Sequence, residues 1–373
     1  EKKKEIEKVA IEKSFDEKKK TIIILHTGGT IASKVDYKTG AVSAKFTAED
    51  LLEMFPELNS VANIETELVS NMMSEDMRFD NYQKMAEAIK KHAKKKIAGI
   101  IIGHGTDTLG YTAAALSFMF EKINIPVLLV GSQRSSDRGS TDATQNLICA
   151  AEFIIKTKFV GVAVCMHNSA SDDVCAILPA TKTRKMHTSR RDAFKAINDS
   201  PIALVDYNKR TVKFLNENYS KKTKDNELIL KEKLSEKVGL LKVHPNIDPK
   251  LFKFFTENYK AFVIEGTGLG HAPTNMGVNL KNFELLKNFI KNGGIVAMTS
   301  QCLYGAVHPY VYTNLRKLSE IGCLFCEDML PETAFIKLSW LMGNYPEDKV
   351  KELMVKNLRG EINTTRTYEK EFI

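Results

Sequence analysis

Two short motifs place threonines and glycines directly after apolar segments with strand character. HTGGTIAS (26–33) follows Ile22–Leu25, and GHGTDT (103–108) follows Ile100–Ile102. Glycine lets the backbone approach a ligand closely, and a threonine hydroxyl beside backbone N–H groups supplies a nucleophile and oxyanion donors together. The pattern predicts acyl transfer by a glycine-flanked threonine. A plain strand-to-helix turn or a phosphate cradle is the alternative interpretation.

A threonine hydroxyl needs a general base before it can attack. One candidate is Asp107, which adjoins Thr106, and the other is a lysine of the polar segment KTRKMHTSRRD (182–192). A lysine desolvated beside hydroxyls can lose its proton near neutral pH. Residue types alone do not distinguish Lys182 from Lys185.

Several other kinds of site are disfavoured. GxxxxGK[ST] and GxSxG are absent, and GTGLG (266–270) lacks the GxGxxG spacing of a dinucleotide site. The eight histidines form no HExxH pattern, and His26 and His104 are expected to make structural hydrogen bonds. Cys323 and Cys326 form a lone CxxC, which predicts a buried strand rather than a metal or redox site. We therefore expect no metal.

The motifs need strands and helices to position them, and the apolar pattern predicts an α/β fold. Short Ile- and Val-rich runs alternate with amphipathic stretches, which is typical of a mostly parallel sheet with helices on both faces. In such sheets ligands bind outside the carboxyl ends of the strands. The expected divisions are a charged segment (1–20), a larger N-terminal domain (21–215), a linker (216–236), a smaller C-terminal α/β domain (237–345) and a C-terminal tail (346–373).

Within these divisions, further strands are expected at Val127–Val130, Val160–Cys165, Val238–Val243, Phe262–Ile264 and Ile295–Met298, with a hairpin formed by Ile202–Val205 and Thr211–Leu215. Helices are expected at Thr112–Lys122, Thr141–Ile155, Pro249–Asn258, Asn282–Asn292 and Glu332–Met342.

Charge and cysteine content indicate the kind of surface and the cellular location of the protein. The net charge is +8, with Lys dominant, which favours an ordinary Lys/Glu-rich surface over a polyanion-binding one. Several of the six cysteines lie in apolar runs, as reduced thiols do, which predicts a cytoplasmic location. No apolar run is long enough to span a bilayer, so no membrane association is expected.

TGGTIAS, HGTDT and Lys185 with its following Thr188 resemble the asparaginase/glutaminase family over about Thr21–Met342. The resemblance implies an asparaginase-like fold and a homodimer in which a neighbouring subunit's smaller domain closes the site. It also implies the site residues: Thr30 as the first-motif nucleophile; Thr106, Asp107 and Lys185 as the second catalytic group; Ser74 and Glu75 as the grip on the substrate α-carboxylate and α-amine; and Tyr37 as a lid residue.

Four further stretches, 133–150, 184–194, 300–305 and 326–334, resemble the D-subunit family of archaeal-type glutamyl-tRNA(Gln) amidotransferases. That resemblance implies release of ammonia from glutamine or asparagine without a cofactor in this chain. It further implies a heterotetramer of two D and two E subunits, in which the E subunits use ATP and Mg²⁺ and hold most of the tRNA(Gln). Members usually carry a β-rich domain ahead of the asparaginase part. Only the charged segment 1–20 stands there in this sequence, so that domain is expected to be either absent or removed.

Two alternatives to this function stay open, together with one question about a loop. The chain could be a free-standing cytoplasmic L-asparaginase, or a non-catalytic ligand-binding module of the same fold. The arginines Arg184, Arg190 and Arg191 form either a charged loop face or a contact with the partner subunit or RNA, because guanidinium groups suit both.

Overall fold

The computed structural model describes residues 16–28, 34–35, 42–43, 55–134, 139–217, 219–225 and 227–365. Thr30 and Tyr37, both expected in the site, lie outside the described residues. The strands are β1 (Thr21–His26), β2 (Lys34–Val35), β3 (Val42–Ser43), β4 (Asn63–Leu68), β5 (Gly99–Gly103), β6 (Phe120–Lys122), β7 (Pro126–Val130), β8 (Gly161–His167), β9 (Val174–Pro179), β10 (Thr183–Lys185), β11 (Phe194–Ala196), β12 (Ala203–Asp206), β13 (Thr211–Phe214), β14 (Ile229–Leu230), β15 (Val238–Lys242), β16 (Ala261–Gly266), β17 (Ile295–Ser300) and β18 (Leu324–Phe325).

The helices of the described residues alternate with these strands. They are α1 (Leu58–Val61), α2 (Phe79–Ala93), α3 (Leu109–Met119), α4 (Ala143–Lys156), α5 (Pro249–Asn258), α6 (Leu280–Lys291), α7 (Thr313–Glu320), α8 (Pro331–Asn344) and α9 (Glu347–Met354), with 3-10 turns at Ser74–Asp76 and Gly277–Asn279.

The larger sheet has eight strands in the order β13-β12-β9-β8-β7-β5-β1-β4. The five strands from β8 to β4 are parallel, and β9, β12 and β13 add on antiparallel. Side chains alternate across β1: Ile23 and Leu25 pack in one core with α2 and α3, whereas Ile22 and Ile24 pack in another with α1 and α4. The predicted mostly parallel sheet covered on both faces is confirmed.

The smaller sheet, β15-β16-β17-β18, is parallel throughout. One face packs on α5, α6 and α7, and the other packs on α8 in the same core that covers the larger sheet. Phe118 of α3 stacks on Trp340 of α8 with ring centroids 5.7 Å apart. The two sheets therefore share one apolar core through these two helices.

Two segments differ from expectation because they pack against the body of the protein. The predicted tail is wrong for residues 347–363: α9 forms there, and Glu361 pairs with Lys337 at 2.6 Å with both side chains fully buried. An unpaired buried charge is costly, so this pair holds the segment in place. The predicted linker (216–236) also packs on the body of the protein, since its strand β14 pairs with β6. The helix predicted at Thr112–Lys122 ends earlier, at Met119, because the residues that follow form β6.

Two local predictions, the hairpin and the buried CxxC, are confirmed. β12 and β13 form the predicted hairpin. Cys323 and Cys326 are buried beside β18, and burial raises the pKa of each thiol to about 12. Among the described residues no helix is both long enough and apolar enough to cross a membrane, and no cluster of His, Cys, Asp and Glu could hold a metal ion.

Candidate active site

The two threonine motifs start side by side because their strands are neighbours. β1 and β5 are parallel, with His26 in register with Gly103. Thr27 donates from its backbone N–H and from Oγ1 to the Gly103 carbonyl, at 3.1 and 3.0 Å. Gly28 has a φ of +92°, and a Cβ there would lie 2.6 Å from the Met72 carbonyl oxygen. Only glycine fits this turn.

Three polar side chains meet at the carboxyl end of β5. The Lys185 amine lies 2.8 Å from Thr106 Oγ1 and 2.7 Å from Asp107 Oδ1. Thr106 is buried and the Lys185 side chain is 16% exposed, whereas the Asp107 side chain is 65% exposed. A hydroxyl, an amine within hydrogen-bond distance of it, and a carboxylate that orients the amine have the geometry of an activated nucleophile.

The neighbouring lysine has a different environment. The Lys182 side chain is fully buried and its Nζ lies 2.7 Å from Asp328 Oδ2. The structure thus separates the two lysines that residue types alone could not. Lys185 was expected in a polar loop after a strand, but it ends β10, where it pairs with Phe194 of β11. Backbone pairing across this hairpin aims the Lys185 side chain at Thr106.

The Thr106 side chain packs against Gly131, in the turn that follows the neighbouring strand β7. A Cβ on Gly131, directly after β7, would lie 2.8 Å from Thr106 Cγ2 and 3.2 Å from the His104 carbonyl oxygen. Asn146 Nδ2 donates to the Gly131 carbonyl at 3.0 Å, and Asn146 Oδ1 lies 2.7 Å from His167 Nδ1. Gly131 and Asn146 were not among the predicted site residues. The glycine after an apolar strand was the available signal for the first, whereas Asn146 had none.

His104 is neutral and structural, as expected. Burial lowers its pKa to about 4. Its Nδ1 lies 2.6 Å from the Gly105 carbonyl and must donate, so Nε2 accepts from the Thr112 hydroxyl at 2.8 Å. Burial also lowers the pKa of His26 to about 4, but neither of its ring nitrogens has a hydrogen-bond partner among the described residues, so the bond expected of His26 is not found there.

The predicted substrate-binding segment adjoins the second motif. Ser74 is buried, and its carbonyl accepts from Thr108 Oγ1 at 2.7 Å. A Cβ on Gly105 would lie 2.8 Å from Ser74 Cβ, so the two chain segments touch. Glu75 follows in the 3-10 turn and is exposed. The structure therefore brings Ser74 and Glu75 to the Thr106 turn.

Each of the three arginines pairs with a carboxylate of this chain. Arg184 Nη1 lies 3.1 Å from Glu332 Oε2, and Arg190 Nε lies 2.8 Å from Asp192 Oδ1. Arg191 pairs with Asp172 and donates to the Ser140 carbonyl at 2.7 Å. All three arginines therefore have an acidic partner within the chain, and Arg190 alone among them is more than half exposed.

Comparison with known families agrees with this geometry. The family model for the N-terminal domain of asparaginase matches residues 21–219, and the model for the glutaminase/asparaginase C-terminal domain matches residues 237–354. The thermostable L-asparaginase from Thermococcus kodakarensis superposes with a TM-score of 0.81 at 30% identity, covering 92% of this chain and 100% of that one. L-asparaginase I from Vibrio cholerae gives 0.80 at 28% identity, covering 92% and 99%.

Sequence relatives narrow the assignment. The D subunit of glutamyl-tRNA(Gln) amidotransferase from Thermococcus kodakarensis is 47% identical over 344 residues, which are 92% of this chain and 76% of that protein. The protein of the same name from Methanococcus maripaludis is 48% identical over 354 residues, which are 94% and 83% of the two chains. The chain therefore belongs to the asparaginase family of amidohydrolases and, within it, to the family of glutamyl-tRNA(Gln) amidotransferase D subunits.

Proposed function

We propose that this chain releases ammonia from the side-chain amide of glutamine or asparagine for a tRNA-dependent amidotransferase. The observation that carries the proposal is the Lys185 amine, placed between the Thr106 hydroxyl and the Asp107 carboxylate. The relatives named as D subunits support the tRNA-dependent setting. The ammonia would convert Glu-tRNA(Gln) to Gln-tRNA(Gln) on the partner subunit.

In the proposed reaction a threonine oxygen attacks the carboxamide carbon, and the Lys185 amine takes the hydroxyl proton. Asp107 holds the lysine in place. The tetrahedral intermediate then breaks its C–N bond, the amine receives the proton from Lys185, and ammonia leaves. Water attacks the resulting threonine ester, which yields glutamate or aspartate and the free hydroxyl. Thr106 has the contact with Lys185, and Thr30 is the second candidate nucleophile.

Backbone N–H groups of the glycine-threonine turns are the proposed oxyanion donors, each of which contributes roughly 3–4 kcal/mol in enzymes that use such holes. Helix α3 begins at Leu109, so the positive end of its dipole adds to this field. Ser74 and Glu75 are proposed to bind the α-carboxylate and α-amine of the substrate, and Asp107 to share the ammonium. Tyr37 is proposed as the lid residue.

The proposed assembly follows the family. Two copies of this chain would form a homodimeric core and join two E subunits, which supply ATP, Mg²⁺ and the main contacts with tRNA(Gln). No cofactor is proposed for this chain. The proposed location is cytoplasmic, in keeping with the free cysteines.

Ammonia release from glutamine and from asparagine, measured with and without the E subunit plus mischarged tRNA, tests this function. The proposal expects glutaminase or asparaginase turnover that rises when both are present. Turnover that does not change when the E subunit and mischarged tRNA are added would identify a free-standing L-asparaginase instead. That is the activity for which the solved relatives are named. Absence of turnover with either amide under every condition would refute an amidohydrolase.

The nucleophile is assigned by acid-quenching the enzyme during turnover and locating the acylated peptide by mass spectrometry. An ester on residues 103–108 identifies Thr106, and one on residues 26–33 identifies Thr30. Thr106→Val and Thr30→Val are the matched controls, because the variant that loses the true nucleophile can form no ester.

A further inference from the structure

The β10–β11 hairpin, which carries Lys185, is anchored by side chains from the C-terminal part of the chain, where the smaller sheet lies. Lys182 precedes β10 and pairs with Asp328 at 2.7 Å, with the two side chains 0% and 8% exposed. Arg184 within β10 pairs with Glu332, in the first turn of α8, at 3.1 Å. Both carboxylates come from CEDMLPETA (326–334), a stretch for which the proposed chemistry has no role.

Backbone groups at the base of the hairpin are held from the same side. Thr333 Oγ1 donates to the Thr181 carbonyl at 2.9 Å. Beyond β11, Asn198 donates from Nδ2 to the Gly305 carbonyl at 3.2 Å, and its Oδ1 accepts from the Gly305 N–H at 2.9 Å. Both ends of the hairpin are therefore fastened to segments that follow β17.

Strand pairing with a larger sheet does not fix the position of this hairpin. Within the part of the chain that the structure describes, β10 and β11 pair only with each other, through three residues each. Phe194 of β11 is buried in the core, and the hairpin also contacts α3 and β9. Side chains alternate along a strand, so Lys182 and Arg184 point to one face and Lys185 to the other. The anchors on one face therefore contribute to the position of the amine on the opposite face.

We propose that Asp328, Glu332 and Thr333 are positioning residues that set the Lys185 amine against Thr106 and Asp107. The expected effect on turnover rests on the proposed amide hydrolysis, whereas the expected effect on the position of the Lys185 amine does not. Because the anchors touch the hairpin rather than the substrate, their loss lowers kcat and leaves KM nearly unchanged.

Glu332→Gln and Thr333→Val test the inference on the full-length chain. Glu152→Gln is the matched control, because Glu152 is a carboxylate of similar burial that also pairs with cations. It is 9% exposed and lies 2.8 Å from Lys156 Nζ and 3.9 Å from Arg210 Nη1, whereas Glu332 is 11% exposed. Glu152 lies on α4, packed on β12 and β13, away from the hairpin. Two quantities are measured: the acetylation rate of Lys185 by peptide mass spectrometry, and kcat with KM for ammonia release.

Released from its anchors, the Lys185 amine becomes more accessible to the reagent. We expect Lys185 acetylation to rise several-fold and kcat to fall roughly tenfold in Glu332→Gln and Thr333→Val, with both quantities at the wild-type level in Glu152→Gln. Acetylation and kcat that match the control in both variants would overturn the inference.

The two measurements keep this inference separate from the proposed function. If the wild-type chain hydrolyses neither amide but Lys185 acetylation still rises in the two variants, the proposed function fails and the positioning holds. If the wild-type chain turns over normally and acetylation matches the control, only the positioning fails.

Discussion

Replacing Gly131 by alanine puts one methyl group under the proposed nucleophile. The new Cβ would lie 2.8 Å from Thr106 Cγ2, whereas carbon atoms pack at about 3.5–4.0 Å. Thr106 must then move by about 1 Å. Its neighbours resist other solutions, since the Cβ also meets the His104 carbonyl oxygen and Leu109 Cδ1 at 3.2 Å each.

A movement of that size breaks the 2.8 Å contact between Lys185 and Thr106. A misplacement of about 1 Å in a catalytic group costs roughly a hundredfold in rate, which equals about 2.7 kcal/mol of activation free energy. We therefore expect kcat/KM for ammonia release to fall about a hundredfold in Gly131→Ala, with a loss of about 1–3 kcal/mol in unfolding free energy from overpacking.

Initial rates of ammonia release with glutamine and asparagine, taken well below each variant's Tm, give the measurement. Gly139→Ala is the matched control, because a Cβ there meets no atom of the described residues within 4 Å. Rates in Gly131→Ala within a factor of about three of the control, less than about 1 kcal/mol, would refute the view that Gly131 sets the Thr106 position.

Further predictions concern the site, its histidine and its thiols. Thr106→Val and Lys185→Met should each lower kcat for amide hydrolysis by about 10²–10⁴, and near-wild-type rates in either would remove Lys185 from the base role. The pKa of His104 is about 4 in the folded chain, against its ordinary 6.5. As the pH falls the unfolded chain therefore binds this proton first, and up to about 3 kcal/mol of unfolding free energy is lost between pH 6.5 and pH 4. His104→Gln should flatten that pH dependence in denaturant titrations, and an unchanged slope would contradict the assignment. Cys302 alone of the six cysteines is exposed, so one thiol should react quickly with an aromatic disulfide in the native protein and all six in denaturant; rapid reaction of Cys323 or Cys326 would contradict the burial of that pair.

Much of the fold followed from local patterns. Alternation of apolar runs and amphipathic stretches predicted the mostly parallel sheet, and the glycine-threonine motifs predicted a site at the carboxyl ends of β1 and β5. Both patterns involve residues that are close in sequence, because the periodicity of a strand or helix and the residue preferences of a turn extend over only a few positions. Thr106 and Asp107 were predicted as site residues for the same reason.

Contacts between distant segments were decided only by the tertiary structure. Lys182 and Lys185 lie in the same polar stretch, yet one is buried against Asp328 and the other meets Thr106. The packing of the C-terminal segment depends likewise on the buried pair of Lys337 and Glu361. The composition of a charged stretch does not reveal which opposite charge will be buried beside it. That partner, brought from far along the chain by packing, determines whether a lysine is structural or part of a reaction centre.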